Sequence, residues 1–306
     1  MLLALLAGAL VLATAHFASA ASPSKFVAPK PFGSGLLKWP ADIAVDPADG
    51  DLLVADKGTD SVWKFSAAGA YLGQLGSSGS RAGEFNGPST VQLDSQGNIW
   101  VGDSGNHRIQ KFSPEGEYLL KCGSLGAAAG QFSIWGPKGI AVDSADSVWV
   151  SDYSGRVQKF DASCKYQDQF GSKGTGRGQF VESAGIDVGP DGRIWVSDWK
   201  VNHRVSVFSE AGEFLFSFGS QGSGRGRFSH PDGVEVDAVG NVWILDSGNG
   251  RIQRFDQAAK FKGQFGSRGA RKGQFRFAWP SGLTSDAEGN IWVTDPGNDR
   301  IQRWPR

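Results

Sequence analysis

The sequence repeats itself six times, and this periodicity constrains the fold more than any other feature of the chain. Short apolar blocks that end in aspartate recur at intervals of 47, 49, 46, 48 and 49 residues. The six aspartates are Asp56, Asp103, Asp152, Asp198, Asp246 and Asp295. Each repeat contains four strand-like stretches separated by glycine-rich turns. Four short strands per repeat are typical of a β-propeller blade. We therefore expect an all-β, six-bladed β-propeller of four-stranded blades.

The composition agrees with many short strands and turns. The chain has 44 Gly among 306 residues, about twice the usual share, which indicates either disorder or numerous turns. Its 11 Trp and 20 Phe can bury a large core, so the turns are the better explanation. Lys and Arg total 31, as do Asp and Glu. This balance excludes an overall field that attracts nucleic acid or anionic membrane.

The N-terminal residues have the composition of an export signal. Residues 1–20 contain no charged side chain, and an apolar run over residues 2–14 is followed by the small-residue pattern Ala-Ser-Ala at residues 18–20. We expect a signal peptide over residues 1–20, a secreted protein that does not associate with membrane, and one propeller domain over residues 21–306. The last repeat lacks a fourth strand at its end. Residues 26–33 match that strand and are expected to close the last blade.

Two motifs resemble the NHL repeat family: the stretch DSGNHRIQKF at residues 103–112 and GPKGIAVD at residues 136–143. The resemblance extends over residues 26–306 and implies a six-bladed propeller. Tripartite-motif proteins carry such propellers behind zinc-binding RING and B-box cysteines, which this chain lacks. Peptidylglycine amidating lyase holds zinc through histidines directly after the proline that opens each inner strand. The corresponding residues here are Ala41, Ser89, Lys138, Ala184, Asp232 and Ser281. The resemblance therefore implies the fold without ubiquitin ligation or that zinc site.

Several conspicuous residues have a structural explanation. A tryptophan occupies the same strand position in five repeats and is expected in the core; these are Trp100, Trp149, Trp195, Trp243 and Trp292. The repeated aspartates precede a turn and then an arginine in five repeats. They are expected to cap that turn and pair with the arginine, the alternative being a ring of calcium sites. The levels of Cys122 and Cys164 along their strands differ by about six residues, or roughly 20 Å. We predict no disulfide and a small core residue at Cys122.

Positive charge is concentrated on the face that carries the links between blades, which we call the link face. The glycine-rich links hold unopposed basic residues, while acidic residues concentrate on the opposite face. The predicted ligand-binding residues are Lys138, Arg177, Arg225, Arg227, Arg271 and Lys272. We expect a binding or scaffold module whose partner is a protein or an anionic polymer such as a glycan. RNA, which tripartite-motif relatives bind, is disfavoured for a secreted chain. The alternative is that these links are ordinary solvated loops.

Carboxylates on the inner strands suggest a second class of function. Side chains alternate along each inner strand, so Asp187 and Glu235 are expected to face the central channel. They are candidate catalytic residues, because two close carboxylates have different pKa values and can act as an acid and a base. Together with Asp42 and Gln92 they are candidate ligands for a divalent cation such as calcium. The alternative function is therefore a metal-dependent lyase or lactonase-like hydrolase with its site in the channel. Hydrated side chains in a water-filled tunnel are the simpler interpretation.

Overall fold

A computed structural model describes residues 35–306, and it confirms an all-β, six-bladed propeller. In each blade, consecutive strands pair antiparallel from the channel outwards. Blade 1 contains β1 (Pro40–Val45), β2 (Leu52–Asp56), β3 (Ser61–Phe65) and β4 (Tyr71–Leu75). Blade 2 contains β5 (Pro88–Leu93), β6 (Ile99–Asp103), β7 (Arg108–Phe112) and β8 (Tyr118–Cys122). Blade 3 contains β9 (Pro137–Val142), β10 (Val148–Asp152), β11 (Arg156–Phe160) and β12 (Tyr166–Phe170).

The second half of the chain repeats this arrangement. Blade 4 contains β13 (Ser183–Val188), β14 (Ile194–Asp198), β15 (Arg204–Phe208) and β16 (Phe214–Phe218). Blade 5 contains β17 (Pro231–Val236), β18 (Val242–Asp246), β19 (Arg251–Phe255) and β20 (Phe261–Phe265). The next link forms β21 (Ser267–Arg268) and β22 (Gln274–Phe275), and blade 6 contains β23 (Leu283–Ser285), β24 (Ile291–Asp295) and β25 (Arg300–Trp304). Residues 26–33, predicted as its fourth strand, lie outside the described residues.

The core lies between neighbouring blades. Apolar side chains of one blade pack against those of the next, so the inner strands contact one another in sequence around a ring. Trp100, Trp149, Trp195 and Trp292 are buried as predicted, and Trp243 is half-buried. Blades 6 and 1 also meet: Trp292 shares a cluster with blade 1 residues, and a hydroxyl–carbonyl contact of 3.4 Å joins β24 to β1. The described strands thus contact each other around the whole ring.

The repeated aspartates fix the turn after the second strand. Each is fully buried and accepts backbone N–H groups of the preceding link, as Asp103 does from Asn86 at 2.8 Å. In four blades the aspartate pairs with the arginine that begins the third strand, at Nε–Oδ2 distances of 2.7 Å for Arg108 and Arg300. These contacts confirm the predicted capping, and they confirm the predicted pairing in four of the five blades that carry the arginine; within the described residues Arg204 of blade 4 forms no ion pair with Asp198.

The prediction of two free cysteines is wrong. Cys122, at the end of the outer strand of blade 2, is bonded to Cys164 in the turn before β12 of blade 3, with Cα atoms 5.8 Å apart. The prediction treated neighbouring blades as flat and parallel, whereas each blade twists. Twist brings the end of one outer strand against the outer turn of the next blade. The same approach recurs one blade later, where a Cβ on Gly212 would lie 3.2 Å from that of Phe170.

The predicted signal peptide, residues 1–20, lies outside the described residues. None of the helices within residues 35–306 is long and apolar enough to span a membrane.

Candidate functional site

The central channel opens on the link face at a ring built by one repeat position. This position is the second residue of the inner strand in blades 1 to 5 and lies two residues before β23 in blade 6; it corresponds to Ala41, Ser89, Lys138, Ala184, Asp232 and Ser281. Five of these residues line a cavity of about 40 Å³ at the mouth of the channel; the exception is Ala184. A water molecule occupies roughly 10–15 Å³ on this measure. The cavity therefore accommodates a small polar group rather than a whole organic molecule.

Two further repeat positions surround the mouth. Two residues before each of these ring positions lies Trp39, Gly87, Gly136, Glu182, His230 or Trp279, in blade order. The residue after each repeated aspartate is Lys57, Ser104, Tyr153, Trp199, Ser247 or Pro296. We call Lys57, Lys138, Tyr153, Trp199, Asp232 and Trp279 the mouth cluster. It combines three aromatic rings with two lysines and one buried carboxyl group.

Lys138 lies at the centre of the mouth cluster. Only 7% of its surface is exposed, and its Nζ lies 3.8 Å from the centroid of the Trp279 ring and 5.8 Å from that of Tyr153. Lys57 Nζ lies 5.8 Å from the Trp279 centroid. Among residues 35–306, neither lysine has a carboxylate within ion-pair distance. The tryptophan face offsets part of the cost of burying the ammonium group.

Burial changes the proton affinity of both kinds of charged group at the mouth. Burial, reinforced by the positive charge of Lys57, lowers the pKa of Lys138 to about 7. Burial also lowers the pKa of Lys57. Burial raises the pKa of Asp232 to about 8, against the opposing hydrogen bond from the Ser281 amide at 2.8 Å. Near neutral pH the amine and the carboxyl group therefore both exchange protons readily.

Further aromatic and polar groups extend the mouth cluster outwards. Trp199 packs on Trp279 with ring centroids 5.9 Å apart, and the exposed Trp135 packs on Tyr153 at 5.8 Å. Burial and the neighbouring Glu182 raise the pKa of the Tyr153 hydroxyl to about 12. Two buried polar atoms here, Glu182 Oε2 and Trp199 Nε1, have no hydrogen-bond partner among the described residues. Such atoms are rare in folded proteins and are available to a ligand.

Two histidines from different blades meet beside this cluster, a contact that the sequence analysis missed. The ring of His230 lies 4.9 Å from that of His203 and 4.8 Å from that of Trp199. The His230 backbone N–H donates to His203 Nδ1 at 3.0 Å, which places the proton of a neutral His203 on Nε2. Burial lowers the pKa of His203. This pair supports the wall of the mouth around Trp199.

Along the channel, the carboxylates predicted from sequence bind the inner strands together. An inner strand has one edge without a partner strand, so its N–H groups need other acceptors. Asp42 accepts from the Val91 amide of the next blade at 3.1 Å, Asp187 from Val236 at 2.6 Å and Glu235 from Ser285 at 2.8 Å. These contacts give the channel carboxylates a structural role.

The same carboxylates lie close enough to influence one another. The channel surroundings raise the pKa of Asp42 to about 6 and of Asp187 to about 7, mainly through burial. Burial and the charge of Asp187 raise the pKa of Glu235 well above its usual value. Gln92 and Asp42 line the mouth cavity. Within residues 35–306, no group of three or more His, Cys, Asp or Glu side chains is arranged to hold a metal ion.

The predicted ligand-binding residues occupy two separate places. Lys138 lies at the mouth, whereas the link arginines lie at the outer circumference: Arg177 stacks 5.3 Å from the ring centroid of Phe214, and Arg225 lies 5.8 Å from that of Phe261. None of Arg177, Arg225, Arg227, Arg271 and Lys272 forms an ion pair within the described part of the chain. On the opposite face, acidic residues do have partners, as in the 2.9 Å contact of Lys262 with Asp256.

One repeat position in the sequence indicates where the mouth cluster lies. At the position after the repeated aspartate, three blades carry Ser or Pro, whereas the others carry Lys57, Tyr153 and Trp199. A position that varies among large side chains in an otherwise regular repeat is a candidate for function. Only the ring arrangement shows that these residues face Trp279 and Lys138.

Comparisons with known proteins agree with this architecture. Residues 37–65 and 85–112 match the family model described as NHL repeat, and residues 189–265 match one described as 6-bladed beta-propeller. No curated protein sequence shows significant similarity to the chain.

Solved structures with the same fold include enzymes. A streptogramin B lyase structure is 16% identical with a TM-score of 0.61, covering 87% of this chain and 93% of that one. A gluconolactonase from Xanthomonas campestris is 16% identical with a TM-score of 0.65, covering 88% and 86%. A protein of unknown function from Bacteroides thetaiotaomicron is 18% identical with a TM-score of 0.66, covering 88% and 70%. At these identities the similarity shows the fold alone.

Proposed function

We propose that this chain, a six-bladed β-propeller with NHL repeats, binds small organic anions at the mouth of its central channel. The observation that carries the proposal is the position of Lys138, which lines the mouth cavity and whose amine lies over the Trp279 ring without a carboxylate within ion-pair distance among the described residues. Lys57 adds a second positive charge beside the same tryptophan. An anion placed between these amines would offset the cost of burying them.

The dimensions of the mouth favour a ligand with one anionic end and one apolar end. The cavity of about 40 Å³ accommodates a carboxylate group, while Trp135, Tyr153 and Trp279 offer ring surface outside it. An aromatic or branched aliphatic tail would bury apolar surface there. We therefore assign monocarboxylates with an apolar tail as the ligand class.

Isothermal titration calorimetry with phenylacetate tests this assignment. Phenylacetate is expected to bind the wild type, and benzylamine, which has the same tail and the opposite charge, is not. Lys138→Met removes the charge at similar volume and should weaken phenylacetate binding by about tenfold or more, the usual effect of losing a charged hydrogen bond. Lys262→Met, which changes a paired lysine on the opposite face, is the matched control. Equal phenylacetate affinity in both variants would contradict the proposal.

A second candidate function is acid–base catalysis by a lyase or lactonase-like hydrolase. It is favoured by the presence in one cavity lining of Asp232, whose pKa is raised to about 8, and Lys138, whose pKa is lowered to about 7. Groups that exchange protons near neutral pH are typical of catalytic sites. The rate of acid release from gluconolactone, measured with the wild type and with Asp232→Asn, tests this second function. An activity that disappears in Asp232→Asn supports catalysis. Equal rates with and without protein contradict it.

Secretion and contact with a larger anionic partner also belong to the proposal. Secretion is supported by the composition of residues 1–20. A protein or anionic polymer along the outer circumference is supported by the lack of ion pairs at Arg177, Arg225 and Arg271 in the described part of the chain. Such surface charge would act mainly on the association rate and its salt dependence.

A further inference from the structure

We propose that Lys138 forms a covalent Schiff base with 2-oxo acids, and that Asp232 supplies the proton for its formation. This inference rests on the proposed capture of carboxylates at the channel mouth and names the substrate class for which that site is built. It concerns the reactivity of one amine and is tested separately from binding.

The surroundings of Lys138 favour the neutral amine, which is the nucleophilic form. The acidic groups that face it are Asp152, Glu182 and Asp232, and the one basic neighbour is Lys57. Asp152 is paired with Arg156 at 3.2 Å.

Glu182 is likewise engaged, because it contacts Lys200 at 3.4 Å. Within the described residues, neither carboxylate lies within ion-pair distance of the Lys138 amine. Burial, reinforced by the positive charge of Lys57, lowers the pKa of Lys138 to about 7. An ordinary lysine, with a pKa near 10.4, is almost entirely protonated at neutral pH.

The two lysines of the mouth match the two functional groups of a 2-oxo acid. Such an acid carries its carbonyl and its carboxylate on adjacent carbons. Lys138 and Lys57 both approach the ring of Trp279, with Nζ at 3.8 Å and 5.8 Å from its centroid. A carboxylate held by the ammonium of Lys57 would leave the adjacent carbonyl carbon beside the amine of Lys138. One small molecule can thus engage both lysines.

Asp232 completes the reaction. The Lys138 nitrogen attacks the carbonyl carbon, the C=O π bond breaks, and proton transfer from nitrogen to oxygen gives a carbinolamine. Protonated Asp232 then donates its proton to the carbinolamine hydroxyl, which leaves as water while the nitrogen lone pair forms the C=N bond. The products are a protonated imine, one water molecule and the Asp232 carboxylate, so no oxidant or reductant is required. Asp232 lines the same cavity as Lys138, and its raised pKa keeps the acid form available at neutral pH.

Reductive trapping with pyruvate tests the inference on the wild-type chain. The protein is incubated at pH 7 with pyruvate and sodium cyanoborohydride, which converts an imine to a stable secondary amine, and modified lysines are located by peptide mass spectrometry. Lys138 is expected to be modified about tenfold or more faster than the exposed Lys262 in the same sample, because it has far more neutral amine. Modification of Lys138 no faster than Lys262 overturns the inference.

A variant identifies the proton donor, and calorimetry separates the inference from the proposed function. Asp232→Asn, checked for folding by its melting curve, should slow trapping at Lys138 about tenfold while Lys262 is unaffected; unchanged trapping overturns the role of Asp232. Phenylacetate has no carbonyl group and cannot form an imine. Binding of phenylacetate without trapping of pyruvate overturns the Schiff base and leaves anion capture standing. Trapping at Lys138 without phenylacetate binding supports the Schiff base and contradicts anion capture.

Discussion

At the scale of single residues, the narrow channel dictates side-chain size. The repeat position that directly follows Lys138 in blade 3 and Ser281 in blade 6 is glycine in four blades, whereas blade 1 carries Asp42 there and blade 2 carries Thr90. A Cβ on Gly282 of blade 6 would collide with the Asp42 carboxylate and lie 2.9 Å from the Asp42 Cα. Blades 6 and 1 therefore approach closely because one carries no side chain where the other carries a carboxylate.

Gly282→Ala is expected to destabilise the protein by about 1–3 kcal/mol, the usual cost of forcing an extra methyl group into a packed site. Gly263→Ala is the control, because nothing lies within 4 Å of a Cβ at that strand position. The free energy of unfolding from urea titrations measures both. A Gly282→Ala protein as stable as the Gly263→Ala protein would show that the two blades separate easily.

At the scale of the strand, the inner strands use carboxyl groups in place of a missing neighbour. Asp42 and Asp187 each accept an N–H group from the inner strand of the following blade, and Asp232 accepts one from Ser281, just before the inner strand of blade 6. Burial raises their pKa values from 3.8 to about 6, 7 and 8. A raised carboxyl pKa in the folded state gives stability that is fully present below the unfolded pKa and is lost as the pH rises through the folded value.

The free energy of unfolding should therefore fall as the pH rises from about 4 to about 8, by about 1.4 kcal/mol per pH unit for each of these carboxyl groups that is protonated only in the folded state. His203 opposes this trend, because its pKa is lowered and its contribution is lost as the pH falls. Lys138 also acts in the opposite sense, but mainly above its folded pKa of about 7. Asp187→Asn keeps an acceptor oxygen and removes the charge, so its slope should be smaller. Identical slopes for wild type and variant in urea unfolding would contradict this account.

At the scale of the whole molecule, blade twist determines which distant residues meet. The outer strand of blade 2 and the outer turn of blade 3 are joined through Cys122 and Cys164, 42 residues apart in sequence. The bond supplements the apolar contacts around Trp100 and Phe160 that hold these blades together. It closes a long loop and so restricts the unfolded chain.

Reduction of this disulfide should lower the free energy of unfolding by about 2–4 kcal/mol. Guanidinium unfolding with and without dithiothreitol measures the difference, and mass spectrometry after alkylation establishes the state of the two cysteines. A protein with Cys122→Ser and Cys164→Ser should have the same free energy of unfolding as the reduced wild type, and dithiothreitol should not change it. Equal stability of the oxidised and reduced proteins would mean that the bond does not constrain the unfolded chain.

The sequence by itself determined the repeat and everything that follows from local spacing. The 46–49-residue period, the strand alternation and the glycine turns predicted six blades of four strands, and the aligned aspartates predicted their pairing with arginines such as Arg108 and Arg300. These features depend on contacts within a blade or between sequential blades. Alignment of the repeats is therefore enough to predict these features.

The tertiary structure alone decided what meets across the ring and what the twist brings together. Lys138 and Asp232 belong to blades 3 and 5, Lys57 to blade 1 and Trp279 to the link before blade 6. The distances between these residues along the sequence do not indicate that they lie close together in the fold. The pKa values at the mouth depend on burial at this meeting point, and the cysteine pair depends on a twist angle. Both are properties of the closed ring, because only closure fixes the distances between blades that are far apart in sequence.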